Sequence, residues 1–208
     1  MSRPFSPAAE RNKEPIFKVL NPLLPLHARV LEVGAGTGQH AHYLTEQRPD
    51  INWLATDVCS RVGELDAVAR STGIPPRFQV EALDIGRDEL PKGPFDAVFT
   101  ANTLHIMPWP NTARLMEGAG GRLTLGGILI CYGPFKERGR HNSDSNIEFD
   151  KRLRARDPTM GIRDLIELRR MGAQFSLPAI AEISLPANNR LIVFKKHGAT
   201  DHPSDLTP

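Results

Sequence analysis

Short apolar runs bounded by turn residues recur along the first two thirds of the chain. Residues 28–33, 51–56 (INWLAT), 78–83, 95–100 (FDAVFT) and 126–132 (GGILICY) read as strands, the first of them buried. Between them lie segments of helical character: 37–47, ending near Pro49; 60–70, with Ser60 as N-cap and Gly73 and two prolines as the stop; and 110–119. Ahead of the first strand, 8–20 forms a helix in which Pro15 imposes a kink or a late start, and Pro22 and Pro25 then break the chain. Strands alternating with helices at this spacing predict βαβ units and a parallel sheet.

The last third changes character. Residues 145–155 and 161–171 are helical and rich in Arg. Residues 180–185 and 190–196 (RLIVFKK) then read as two strands joined by PANN, with no helix between them. Strands joined by so short a link pair antiparallel. The expected fold class is α/β, a mostly parallel sheet with an antiparallel C-terminal hairpin and helices on both faces. Residues 1–7 are expected to be a flexible arm, 8–197 a single domain, and the polar stretch 198–208 a disordered tail.

Composition narrows the picture only a little. At 208 residues, with 40% hydrophobic and 24% charged residues, the chain suits one soluble domain. A net charge of +2 exerts no global pull toward nucleic acid or membrane. Cys59 and Cys131 lie outside any CxxC spacing, which argues against a disulfide framework or a zinc site. The opening residues lack the apolar core of a signal peptide, and no apolar run reaches the roughly 18 residues needed to span a bilayer. A cytoplasmic location is expected, with no membrane partner.

Chemistry concentrates in VLEVGAGTG, residues 30–38. Val30, Leu31 and Val33 read as strand; Gly34, Gly36 and Gly38 punctuate a turn, with Ala35 between the first two. A helix then opens. Such a strand, turn and helix N-terminus let backbone approach a nucleotide-like ligand. A dinucleotide fingerprint would need glycine where Gln39 stands, which disfavours a nicotinamide dehydrogenase. With Glu32 in the strand, the E-x-G-x-G-x-G arrangement resembles the first motif of class I S-adenosylmethionine (SAM)-dependent methyltransferases, where a strand carboxylate suits a cofactor bearing an ammonium group. The competing reading is a glycine-rich turn of some other α/β protein.

Ligands of open α/β sheets sit beyond the carboxyl ends of the strands. Asp57, with Val58 beside it, stands about 20 residues beyond Gly38, where a carboxylate either accepts ribose hydroxyls or caps a helix. Asp84, flanked by Leu83 and Ile85, offers an acceptor and apolar walls for adenine, or is a solvated loop carboxylate. After the fourth strand comes TANTLHIMPWP, residues 100–110. Asn102 is placed against the cofactor's methionine portion, with His105 and Trp109 at the cleft rim. His105 is a candidate general base or a structural hydrogen bonder. Tyr132, after the fifth strand, is a second candidate acid/base. The N-P-P-aromatic form used on exocyclic amines is not present, which lowers the case for such substrates.

The blocks AERNKEPI, GAGTGQHA, NTLHIMPW, CYGPF, SN-x-x-FD-x-x-LR-x-R-DP, GIRD and LPANNRLIVF together resemble one small class I methyltransferase-like family. It is the family that includes methyltransferase-like protein twenty-six, long described as a domain of unknown function. The resemblance runs from Pro7 to about Lys196. It implies a seven-stranded Rossmann-like fold binding SAM, and it names no substrate. Around it, 8–27 reads as a helical lid carrying Asn12, and 141–172 as a helical substrate-side insertion. There Asn146, Phe149 and Arg163 are candidate acceptor contacts, with packing as the alternative role of each. The basic run Lys151, Arg152, Arg154 and Arg156 is diluted by Asp150 and Asp157 and reads as a solvated face rather than a nucleic-acid surface. The expected activity is methyl transfer to an N, O or S nucleophile of a small molecule, without a metal. The alternatives are a SAM-binding scaffold, or an RNA or protein methyltransferase using the Arg-rich helices.

Overall fold

The structure, a computed structural model, describes residues 4–71, 73 and 77–198. The expected tail, beyond its first residue, and the first three residues of the expected arm lie outside that set. Helix α1 (Pro7–Leu20) already includes the last arm residue, because the Ser6 side chain caps it by accepting from the Ala9 N–H. Pro15 sits inside α1 rather than delaying its start.

Five strands run parallel: β1 (Arg29–Val33), β2 (Asn52–Asp57), β3 (Phe78–Ala82), β4 (Phe95–Ala101) and β5 (Leu123–Gly133). Helices α2 (Gln39–Gln47), α3 (Cys59–Ser71) and α4 (Trp109–Arg122) cross between them. Two further strands, labelled β8 (Ala179–Leu185) and β9 (Asn189–Lys195), form the hairpin, and β9 inserts antiparallel beside β5. The sheet order is β3-β2-β1-β4-β5-β9-β8. This is the mostly parallel seven-stranded sheet expected. Alternate residues of each central strand face opposite layers, as a sheet covered on both sides demands. Val30, Trp53, Phe99, Ile130 and Val193 pack with Ile16 and Leu20 of α1, whereas Leu31, Val98, Leu129 and Phe194 pack with Leu115 of α4.

Several expected boundaries move, each for a local reason. Helix α2 begins at Gln39 and not Thr37, because Gly36 and Gly38 take positive φ and hold 34–38 as a loop. Ser60 lies inside α3 rather than at its cap, since that helix starts at Cys59. After α5 (Asp144–Arg156, capped by Ser143), the segment 161–164 is not helical. Arg163–Asp164 forms a short strand, β7, paired in parallel with β6 (Phe135–Lys136). Helix α6 (Leu165–Gln174) starts only there, with the Asp164 carboxylate accepting the Ile166 N–H.

Candidate functional site

The carboxyl ends of β1, β2, β4 and β5 open into a cleft of about 1020 Å³. Its floor is the glycine loop. The Gly34 and Ala35 N–H groups each donate 2.9 Å to the Thr56 carbonyl, fastening the loop to the end of β2. The Asp57 carboxylate finishes the job, accepting from Gly36 N at 2.7 Å and Val58 N at 2.8 Å. Those bonds use one lone pair on each oxygen, so Asp57 retains acceptor capacity for ribose hydroxyls. The helix-capping role weighed for Asp57 is not the one seen, since its partners are Gly36 N and Val58 N, both ahead of α3, which begins at Cys59.

Glycine is required here by close approach. A Cβ on Gly34 would stand 2.5 Å from Thr103 Oγ1, and one on Gly38 would stand 2.7 Å from Leu65 Cδ1, both at positive φ. Gly34, Ala35 and Gly36 line the cleft, whereas Gly38 supports it from below against α3. Val58, Leu83, Asp84 and Ile85 form the wall toward β3. Asp84 accepts the Gly86 N–H at 2.8 Å with Oδ1, and its Oδ2 lies 3.7 Å from Arg87 Nε, which leaves lone pairs on both oxygens for an amino group.

Glu32 is not among the lining residues. It is fully buried, with Oε2 accepting the Trp53 indole N–H at 2.8 Å and Oε1 lying 3.7 Å from His40 Nδ1. The strand carboxylate thus reaches the cleft through His40, which does line it. His40 Nε2 in turn meets Asn12 Oδ1 at 2.7 Å, so α1 is tied to the first turn of α2. A second tie lies beside it. Gln39 Oε1 accepts from the Ser6 N–H and the Thr37 hydroxyl, and Gln39 donates to Glu10. These ties fix Arg11, Asn12 and Pro15 on the cleft wall.

The far half is built by β4, β5, α5 and the β8–β9 turn. Asn102 takes a left-handed φ of 57° and donates its N–H to the Tyr132 carbonyl, ending β4 and turning the chain toward His105. His105 is buried with its ring edge-on to Phe149 at 5.2 Å. Burial, aided by the Arg163 charge, pushes its pKa down to about 4. Tyr132 lies across from it, and burial raises its pKa, opposed by hydrogen bonds with Asn12 and Asn189 and by the charge of Arg11. Asn146 and Phe149 of α5 complete this half with Pro134 and Pro186.

Trp109 and Arg163, expected as acceptor contacts, do not line the cleft. Arg163 lies on β7, not on a helix, and its guanidinium stacks over Trp109 at 5.6 Å. It donates to the carbonyls of Leu104, Met107 and Thr159. The pair bolts the 102–108 loop from behind, and Arg163 reaches the cleft only through His105. The basic run on α5 is largely occupied as well: Lys151 pairs with Glu148, Arg154 with Asp150, and Arg152 covers Phe149.

Sequence reasoning missed His40 and Asn189. Their only trace was position, His40 in the block after the glycines and Asn189 in PANN, because nothing periodic marks a polar residue that a distant element will meet. No helix among the described residues is long and apolar enough to cross a membrane.

Sheet order, hairpin and cleft together define the class I methyltransferase fold, and solved structures agree. An O-methyltransferase family 2 protein from Planctomyces limnophilus, solved with apigenin, superposes with a TM-score of 0.72 at 24% identity, covering 82% of this chain and 51% of its own. An O-methyltransferase family protein from Burkholderia thailandensis gives 0.79 at 13% identity, over 92% and 58%. Human N-acetylserotonin methyltransferase, solved with SAM, gives 0.76 at 15%, over 92% and 53%. This chain spans only about half the length of such proteins. Residues 3–196 match the family model described as "Protein of unknown function (DUF938)", and the chain belongs to that family.

Proposed function

We propose that this protein is a SAM-dependent methyltransferase acting on a small molecule, and that its sequence blocks place it with the methyltransferase-like protein twenty-six family. The observation that carries the activity is the pinned glycine loop, with Asp57 bonded to Gly36 N at 2.7 Å and facing the same cleft as Asn102 and Tyr132. Asp57 suits the ribose, Asp84 with Leu83 and Ile85 suits the adenine, and Asn102 with the loop backbone suits the methionine portion. When bound, the cofactor supplies an electrophilic sulfonium methyl. The chain's own contribution is to orient the acceptor in line and exclude water. Helix α1 closes one side of the cleft and α5 the other, consistent with a small acceptor and with the assigned roles of 8–27 as lid and 141–172 as substrate-side insertion. Asn12, Asn146 and Phe149 touch the acceptor in this reading, while Trp109 and Arg163 position the loop that presents His105.

Calorimetric titration of the full chain with SAM and with S-adenosylhomocysteine tests the reading. Saturable one-to-one binding of both is expected. Failure of both to bind sinks the proposal.

A further inference from the structure

The sheet order separates the cleft's charges. Asp57 ends β2 and Tyr132 lies on β5, three strands away, or roughly 14 Å at the usual strand spacing. Asp84 follows β3, farther still. The two carboxylates that line the cleft therefore belong to its cofactor half. The far half is lined by the carboxamides of Asn12, Asn102, Asn146 and Asn189, by Tyr132 and by His105. Among the described residues no carboxylate or lysine lines that half, and its cation is Arg11.

The surrounding charged groups do not change this. On α5, Asp150 is taken up by Arg154 and the Ile162 N–H. On α1, Glu10 binds Lys13 and Gln39, and Glu14 binds Lys18. Glu32 stands behind His40, whose ring nitrogens face Glu32 and Asn12 rather than the cavity. Burial, and after it the charge of Arg163 behind the ring, disfavours a proton on His105, so that imidazole is a weak base. An ammonium acceptor would find neither a counter-charge nor a good proton acceptor.

We infer that the methyl acceptor reacts as a preformed anion, the phenolate, thiolate or carboxylate of a small molecule with an apolar body, held by Arg11, Asn12 and Tyr132. This rests on the methyltransferase reading above. The anionic O or S attacks the sulfonium methyl carbon. The carbon–sulfur bond breaks with its electron pair going to sulfur, leaving a neutral thioether and a neutral methylated acceptor. No proton has to be removed in the step. Phe149, Pro134 and Pro186 suit the apolar body.

The test uses the full chain with 4-nitrophenol, thiophenol, benzoate and benzylamine as probes, after SAM binding has been measured by calorimetry. With S-adenosylhomocysteine present, the visible absorbance of bound 4-nitrophenol reports its ionisation independently of turnover. The expected result is an ionisation midpoint lowered by about one pH unit on binding, because the probe's phenolate pairs directly with Arg11, whereas at the buried Tyr132 that charge is outweighed by burial. Arg11→Gln should remove most of that shift while Arg11→Lys retains it. Methylation should be confined to the phenol, thiol and carboxylate probes. Binding of 4-nitrophenol only as the neutral phenol, preferential methylation of benzylamine, or no binding of any ionisable probe overturns the inference while the methyltransferase reading stands. Absence of SAM binding overturns that reading first.

Discussion

His40 Nε2 lies 2.7 Å from Asn12 Oδ1, both side chains buried, so a residue just beyond the glycine loop holds the N-terminal helix across the cleft. Replacing His40 with Ala deprives Asn12 Oδ1 of its partner and leaves Glu32 Oε1, which has no hydrogen bond of its own, without its neighbouring ring. A buried polar group left unpaired costs about 1–3 kcal/mol. We expect His40→Ala to lower the unfolding free energy by about that amount in urea, and proteolysis to cut within α1 first. Equal protection of α1 in both proteins would refute the lid role.

Asp57→Ala should weaken SAM binding by about 10- to 100-fold, the range set by losing hydrogen bonds to a charged group. Two effects contribute, because the carboxylate also anchors Gly36 N. Asp57→Asn, which keeps an acceptor for that N–H, should fall between the two. Calorimetry on the three proteins decides it, and unchanged affinity for Asp57→Ala would move the ribose site elsewhere.

Arg163→Met should separate stability from cofactor binding. It strips the donor from three backbone carbonyls and the cation from Trp109. Each buried carbonyl left unpaired costs about 1–3 kcal/mol. We expect a clear loss in denaturant titration and a drop in turnover as the His105 loop loosens, with SAM affinity within about twofold. A variant that binds SAM tenfold more weakly would place Arg163 in the cofactor site instead.

The buried His105 imidazole predicts a pH dependence of stability. Its ordinary pKa near 6.5 falls to about 4 in the fold, so the unfolded chain takes up the proton first. Above pH 6.5 the group is neutral in both states and contributes nothing. As pH falls from 6.5 to about 4 it destabilises the fold progressively, by about 3 kcal/mol at the limit, and below that the loss stops growing. His105→Gln should remove this component, so wild type and variant, compared in urea between pH 7 and pH 4, should diverge on acidification. Parallel curves would show that the ring is not buried as found.

Much of the architecture was legible from the residues. The central parallel strands are short apolar runs stopped by a turn residue, whereas β3 (FQVEA) is a largely exposed edge strand, and the link PANN is too short to allow anything but antiparallel pairing. Strand β5 extends back to Leu123 where only Gly126 onward was expected, because Thr124 and Leu125 are not buried and so no continuous apolar run marks that end. The β6–β7 pair was invisible, because strands of two residues carry no period.

The chain by itself determined the strand–glycine–helix unit, the acidic residue about 20 positions on, and the closing hairpin, since all three rest on local spacing and turn chemistry. Folding alone decided which polar residues meet. It turned Glu32 and Gly38 into supports and took Trp109 and Arg163 out of the cleft, and it joined His40, Asn12 and Tyr132 from three separate elements. Hydrogen bonds across the sheet top depend on strand order, and strand order is set by how the whole apolar surface is buried, which no local window of sequence contains.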